Sequence, residues 1–246
     1  MTSASLINTV GAIGNVISFV LFFSPAPTFY KIIKKKDVEE FKPDPYLVTL
    51  LNCAIWVFYG MPYVQPHGIY FVIVDGAGFV FQFVYLTIFY VYANNKGRKK
   101  FLLYLLIEVI FFAVIVVITM LALHDTTKRS SVVGILGILC AIFNALMYVS
   151  PLTIMTKVRK TKSVKYMPFC LSLAIFLDGL VWTINALITP FALTHAFGIY
   201  VMISTSIGAI SGLVQLILYA YYWCMGENNV DDDDAEHVLN LAVVSV

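Results

Sequence analysis

Long apolar stretches alternate with short charged or Gly/Pro-marked segments along the chain. Each stretch is about 20 residues long, the length that a helix needs to cross the hydrocarbon core of a bilayer. We predict transmembrane helices at residues 6–29, 45–64, 69–92, 101–123, 131–155, 167–189 and 196–224. The predicted fold class is therefore an all-α membrane protein with seven transmembrane helices.

Composition agrees with this prediction. Of the 246 residues, 60% are hydrophobic and 12% are charged, whereas a soluble domain has about half and about a quarter. No basic segment precedes the first apolar stretch, so we expect that stretch to be retained as a span. The four cysteines lack the spacing of a zinc site or of a disulfide framework.

The basic residues are concentrated on one side of the predicted membrane. Fourteen of the sixteen Lys and Arg residues follow the first, third and fifth spans, and only Lys128 and Arg129 lie on the other side. Because basic loops stay in the cytoplasm, we expect the amino terminus outside and the carboxyl terminus inside. The tail at 225–246, with its acidic run Asp231 to Asp234, is then cytoplasmic, and we expect it to be disordered.

The chain partly matches itself when it is shifted by 126 residues. The matches include Ser24-Pro25 with Ser150-Pro151, Trp56 with Trp182, Lys31 with Lys157 and Lys34 with Lys160. We predict a first three-helix repeat at 6–92 and a second at 131–224. Three spans reverse the direction of the chain, so a linker helix at 101–123 between the repeats makes them parallel.

Polar and aromatic residues recur on one face of several spans. Positions i, i+4 and i+7 of a helix share a face, which aligns Asn52 with Trp56 and Asp178 with Trp182. Asp75 stands alone in an apolar run, where a carboxylate costs on the order of 2.5–3.5 kcal/mol. Lipid offers these groups no partner, so we expect them to face a wet cavity near the midplane. The alternative is that they hold helices together.

The mixture of side chains favours a neutral sugar as the ligand. Indole rings offer flat apolar faces and one N–H donor each, and amides offer donors and acceptors. A sugar ring has apolar C–H faces and a rim of hydroxyls, which suits such a set. No basic group lies in the middle of a span, which argues against anionic substrates. We see no catalytic set, metal-ligand spacing or nucleic-acid signal, and we expect neither an enzyme nor a cofactor.

Four prolines lie near the cytoplasmic ends of four spans. Pro25 and Pro151 precede the ends of the first and fifth apolar stretches, and Pro45 and Pro168 lie at the starts of the next ones. Because a missing backbone donor weakens a helix, these positions could act as hinges. The alternative for Pro45 and Pro168 is that they merely start helices.

Two segments carry a family resemblance. They read GNVISFVLFFSPAPTFYKIIKKKDVEEFKPDPYLVTLLNCAIWVFYG and SPLTIMTKVRKTKSVKYMPFCLSL. They closely resemble plant SWEET sugar facilitators of the MtN3/saliva and PQ-loop group, most of all the hexose-type subgroup, and the resemblance covers nearly all of residues 8–224. It implies two parallel three-helix bundles joined by a linker helix (3+1+3), an arrangement for which this family is itself the standard example.

The resemblance also implies an activity. We expect facilitative uniport of small sugars, hexoses such as glucose first, by alternating access without ion coupling or a cofactor. The expected partners are the sugar, the lipid bilayer and a homo- or hetero-oligomer of related transporters. The expected location is the plasma membrane.

The family's pocket and hinge positions can be carried over one by one. Those that the resemblance assigns to substrate binding are Ser18, Asn52, Trp56, Asp75, Asn144, Met147, Asp178, Trp182 and Thr205, with Leu21 as a further pocket position. The hinge prolines are Pro25, Pro45, Pro151 and Pro168. Asn52, Asn144 and Met147 are larger than the serines and valine of the sucrose-carrying members, which favours a monosaccharide.

The chain departs from the family at several of these positions. Asp75 and Asp178 stand where Asn is usual, Asn185 stands where many members have Tyr, and Ser204, Thr205 and Ser206 replace Pro-Asn-Gly. We hypothesise that the two acids make transport more pH-sensitive, which flat uptake between about pH 5 and pH 8 would contradict. Two alternatives stay open. One is a proton-coupled PQ-loop carrier of another small solute, and the other is a transport-dead binding partner of such carriers.

Overall fold

The described part of the chain is almost entirely helical. A computed structural model describes residues 3–38, 41–64, 68–123, 129–147, 155–156, 158–159, 169–189 and 196–224, and no β-strand occurs among them. The helices with described bounds are α1 (Ser3–Phe23), α2 (Ala26–Lys35), α3 (Asp44–Gly60), α4 (Ile69–Tyr92), α5 (Asn95–Leu123), α6 (Arg129–Met147), α7 (Phe169–Ile188) and α8 (Ala196–Cys224). The predicted tail at 225–246 lies outside the described residues.

Five of the described segments are long and apolar enough to cross a membrane. They are Ser5–Lys35, Ile69–Tyr92, Asn95–Leu123, Phe169–Ile188 and Ile199–Cys224. The first combines α1 and α2 into one span. Two shorter helices coincide with the other predicted spans: α3 has 17 residues, and α6 contributes the apolar stretch Ser131–Ala145. A spanning helix has roughly 17–25 residues, so α3 lies at the lower limit of that range.

The chain divides into two compact units. Unit 1 comprises Met1–Pro25 and Asn144–Val246, and unit 2 comprises Ala26–Phe143. Within unit 1, α7 packs against both α1 and α8, and within unit 2, α4 packs against α2, α3 and α5. This division does not test the predicted repeats at 6–92 and 131–224 or the linker at 101–123, which stay a prediction.

The first predicted span is interrupted at Ser24 and Pro25, where a turn separates α1 from α2. Pro25 has no N–H to continue the helical ladder. Ser24 closes the last turn of α1, because its N–H and its hydroxyl both donate to the carbonyl of Leu21, at 3.1 and 2.7 Å. The sequence therefore ends α1 here and starts a second short helix, where the prediction had one continuous helix over 6–29.

Two glycines set the close approach of α7 and α8 in unit 1. A Cβ atom on Gly212 would lie 2.6 Å from the Cα of Phe176, and one on Gly179 would overlap the backbone of Ala209. Small residues let two backbones meet closely in a membrane, where packing drives helix association. The same seam carries a buried hydrogen bond of 3.0 Å from the Ser172 hydroxyl to Oε1 of Gln215.

Capping fixes the corner between α4 and α5 in unit 2. Arg98 donates from Nε to the carbonyl of Tyr90 (2.9 Å) and from Nη2 to that of Val91 (2.6 Å), so the guanidinium occupies carbonyls that the end of α4 leaves free. The side-chain oxygen of Asn94 accepts the N–H of Gly97 at 2.7 Å and caps the start of α5. These caps explain why α5 begins at Asn95, ahead of the apolar stretch that predicted a start at 101.

Candidate functional site

In unit 1, three of the predicted site residues form a connected cluster. The indole N–H of Trp182 donates to the Ser18 hydroxyl oxygen at 3.0 Å. The Ser18 hydroxyl donates in turn to Oδ1 of Asp178 at 2.5 Å. Ser18 and Trp182 are 5% and 6% exposed, whereas Asp178 keeps more of its surface open. The cluster joins α1 to α7 and will be called the Trp182 cluster.

The sequence of α1 makes room for this cluster. Its buried stripe consists of Gly11, Gly14, Ser18 and Leu21, at the three- and four-residue spacing of one helix face. A Cβ atom on Gly14 would lie only 3.1 Å from Cε2 of Trp182, so the missing side chain lets the indole lie against the helix. The spacing of Gly14 four residues before Ser18 was the signal for this contact, and the sequence analysis missed it.

Asn185 and Thr205 are engaged with their neighbours in unit 1. The Asn185 amide donates from Nδ2 to the carbonyl of Ile7 at 3.0 Å and so ties α7 to α1. The Thr205 hydroxyl lies 3.1 Å from that of Thr183 across the α7–α8 seam, and it donates to the carbonyl of Val201 at 2.9 Å. Thr205 is 9% exposed on this seam, and its role in substrate binding stays a prediction.

Unit 2 holds a second set of predicted site residues. Trp56, Asn52 and Asp75 are all buried, at 5%, 4% and 9% exposure. The Trp56 ring lies against Phe71 and Tyr59, with ring centroids 5.2 and 6.0 Å away. Such aromatic contacts hold an indole in one orientation.

The polar groups of this set differ in their partners. The side chain of Asp75 is hydrogen-bonded to that of Cys53, a completely buried thiol that sequence reasoning did not connect with it. Among the described residues, Oδ1 of Asn52 is buried without a hydrogen-bond partner. A buried amide oxygen without a partner costs roughly 1–3 kcal/mol, which a ligand hydroxyl can recover.

The remaining predicted residues are placed as follows. Asn144 and Met147 lie in the last turns of α6 and are partly exposed, and Leu21 is buried at 7% exposure. Pro25 lies at the break between α1 and α2, and Pro45 lies in the first turn of α3, a position that tolerates proline. Pro151 and Pro168 lie outside the described residues.

The chain matches known proteins over most of its length. The family model described as sugar efflux transporter for intercellular exchange (MtN3_slv) matches residues 8–97 and 134–225. The chain belongs to this family. The family is one of transporters and not of enzymes, and the resemblance to plant SWEET facilitators is confirmed.

Two curated plant relatives show how far the similarity extends. Bidirectional sugar transporter SWEET5 of Arabidopsis thaliana is 49% identical over 92% of this chain and 90% of the relative. Bidirectional sugar transporter SWEET7b of Oryza sativa subsp. japonica is 51% identical over 91% of this chain and 81% of the relative.

A solved structure of a eukaryotic SWEET transporter has the same fold. It is 33% identical, and the match covers 91% of this chain and all of that chain with a TM-score of 0.82. The predicted fold class is thereby confirmed: this SWEET-family chain is an all-α, multi-pass membrane protein of 3+1+3 architecture. The likeness does not test the roles of individual site residues, which stay a prediction.

Proposed function

We propose that the chain is a uniporter for small sugars, hexoses such as glucose first, and that it works by alternating access. Its relatives at about half identity are named bidirectional sugar transporters. Each unit contains, by itself, one buried tryptophan with amide or carboxyl groups nearby on the same helix or its neighbour. That combination offers ring faces for C–H surface and polar atoms for hydroxyls.

The observation that carries the proposal is the Trp182 cluster. Its indole N–H is already bonded to Ser18, so the ring has a fixed orientation before any ligand arrives. A ligand-binding role explains why a membrane helix keeps an acidic residue of intermediate exposure, Asp178, beside a buried indole. A role in helix packing alone would be served by smaller, neutral residues.

Labelled glucose uptake into cells that lack their own sugar carriers tests the proposal. We expect Trp182→Ala to lower uptake about tenfold at matched surface levels, since losing an aromatic contact of about 1.4 kcal/mol changes an equilibrium tenfold. Trp223→Ala is the control, because Trp223 is 56% exposed near the end of α8. Equal uptake by both variants would refute a sugar path beside Trp182.

A proton-coupled carrier is the second candidate. The observation that favours it is the pair of acids, Asp75 and Asp178, inside membrane helices of the two units. Uptake that collapses when a protonophore is added would support this candidate over uniport. The predicted pH sensitivity of uptake, measured between about pH 5 and pH 8, bears on the same two residues.

We also propose a plasma-membrane location with the amino terminus outside. The support for the orientation is the positive-inside rule, applied to exposed basic residues such as Lys34, Lys42 and Lys99. An epitope tag at residue 1 that antibodies reach only after permeabilisation would contradict this orientation. Association with a second copy or with related transporters stays a prediction, which cross-linking in membranes tests.

A further inference from the structure

The carboxyl of Asp178 lacks a basic partner on the helices that surround it. Neither α1 nor α7 nor α8 contains a Lys, Arg or His residue. The contacts described for this carboxyl come from the neutral donors of Ser18 and Trp182. Ionisable groups inside membrane proteins are costly, and they usually pair with an opposite charge or mark a substrate path.

The hydrogen bonds around Asp178 form a chain in which Trp182 donates to Ser18 and Ser18 donates to Asp178. An indole N–H can only donate, so Ser18 Oγ accepts from Trp182. The hydroxyl hydrogen of Ser18 is then left to point at Oδ1 of Asp178. Oδ1 of Asp178 therefore acts as an acceptor, and an ionised Asp178 offers a ligand acceptors only.

The Trp182 cluster thus presents two features to a ligand. One is the carboxyl of Asp178, a residue of intermediate exposure that accepts a hydrogen bond from Ser18, and the other is an indole whose N–H donates to Ser18. A ligand that matches both needs a strong donor, a positive charge and an apolar face. An ammonium group supplies three donors and the charge, and an indole ring attracts cations as well.

We propose that Asp178 makes the Trp182 cluster a site for sugars that carry an ammonium group, so that the chain prefers amino sugars to neutral hexoses. The proposal rests on the proposed function, because it assumes that a sugar binds beside Trp182. The ammonium group provides the counter-ion that α1, α7 and α8 do not contain. The sugar ring packs its C–H face on the indole.

Competition for labelled glucose uptake in reconstituted vesicles tests this preference at about pH 7, where the amine of an amino sugar is still largely charged. The competitors are glucose, 2-amino-2-deoxyglucose and 6-amino-6-deoxyglucose, with N-acetylglucosamine as the uncharged amine derivative. We expect at least one amino sugar to inhibit at a concentration about fivefold lower than glucose does, because hydrogen bonds to ionised groups are about twice as strong as neutral ones.

Asp178→Asn is the decisive variant, because an amide oxygen still accepts from Ser18 but carries no charge. In this variant the half-inhibition concentration of the amino sugar should be about equal to that of glucose. The ratio of these two half-inhibition concentrations is compared between the wild type and the variant, because a general loss of uptake does not change that ratio. A purely structural role for Asp178 would leave that ratio unchanged.

Equal inhibition by glucose and every amino sugar in the wild type would overturn the proposal, and so would an advantage that persists in Asp178→Asn. If that variant does not fold, the wild type at about pH 9, where a sugar amine is uncharged, must lose the advantage. Absence of glucose uptake by the wild type would count against the proposed function. In that case, greater thermal stabilisation of the purified chain by an amino sugar than by glucose supports the present proposal, and equal stabilisation overturns it.

Discussion

Ser18 illustrates how one hydroxyl can serve two neighbours at once. It accepts from the Trp182 indole and donates to Asp178, and it is 5% exposed. We expect Ser18→Ala to destabilise the protein by about 1–3 kcal/mol, because Trp182 and Asp178 each lose one hydrogen bond in a buried site. Thermal unfolding of the purified protein in detergent measures the change.

The control for this prediction is Ser131→Ala, at an exposed position of α6. That change should leave the melting temperature nearly the same. A melting temperature for Ser18→Ala as high as that of the control would mean that the Trp182 cluster contributes little to stability.

Lys36 is held in a backbone conformation that suits glycine better. Its φ is 56°, just after the last residue of α2, and a side chain in the left-handed region costs roughly 1–2 kcal/mol. Lys36→Gly should therefore stabilise the protein by up to about 1 kcal/mol, since part of the gain is offset by the entropy of glycine in the unfolded chain. Lys34→Gly, inside α2, should instead destabilise it by about 1 kcal/mol. Equal shifts of both variants in a thermal unfolding experiment would contradict this reading of the turn.

At the residue scale, sequence reasoning identified the members of the Trp182 cluster but not their supports. Trp182 and Asp178 share a helix face by their four-residue spacing, and the resemblance added Ser18. The contacts of Gly14 and Cys53 were missed, because each depends on how a different helix is rotated and placed. The spacing within one helix carries no information about that placement.

At the scale of elements, the seam between α7 and α8 depends on glycine. Gly212→Ala should destabilise the protein by about 1–3 kcal/mol, because the new Cβ atom would overlap the backbone of Phe176 and push the helices apart. Gly134→Ala is the matched control, since a Cβ atom there meets nothing within 4 Å. That control should be neutral or stabilising by up to about 1 kcal/mol, from helix propensity. Unfolding temperatures that fall equally in both variants would argue against close packing at this seam.

The boundaries of the helices were predictable where the pattern alone decides them. The spans predicted at 69–92 and 196–224 coincide with α4 and α8, because uninterrupted apolar stretches end there in polar residues. The predicted boundaries were wrong where local capping sets the end of a helix. The polar caps at Asn94 and Arg98 extend α5 back to Asn95, and the turn at Ser24 divides the first span.

At the scale of the whole molecule, apolar length and charge distribution were sufficient for the fold class. An apolar helix must satisfy its own backbone in lipid, so seven stretches of the right length permit only a helical bundle. Residues of α5 such as Leu103, Ile110 and Leu121 are more than half exposed, as a helix facing lipid requires. The identity of the substrate could not be predicted from apolar length and charge distribution, because it depends on a few polar atoms such as those of Asn52 and Asp178.

Uniport predicts that the molecule equilibrates its sugar and never concentrates it. In vesicles, labelled glucose should reach the same concentration inside and outside, and a protonophore should leave the initial rate unchanged within about twofold, because no step of the cycle depends on the proton gradient. Unlabelled sugar trapped inside should accelerate the entry of label, since a carrier that exposes its site alternately returns faster when it is loaded. Vesicles without protein serve as the control for leakage, and Trp223→Ala vesicles should behave like the wild type. Label that accumulates above the outside concentration, and loses that accumulation with the protonophore, would instead assign Asp75 or Asp178 to proton coupling.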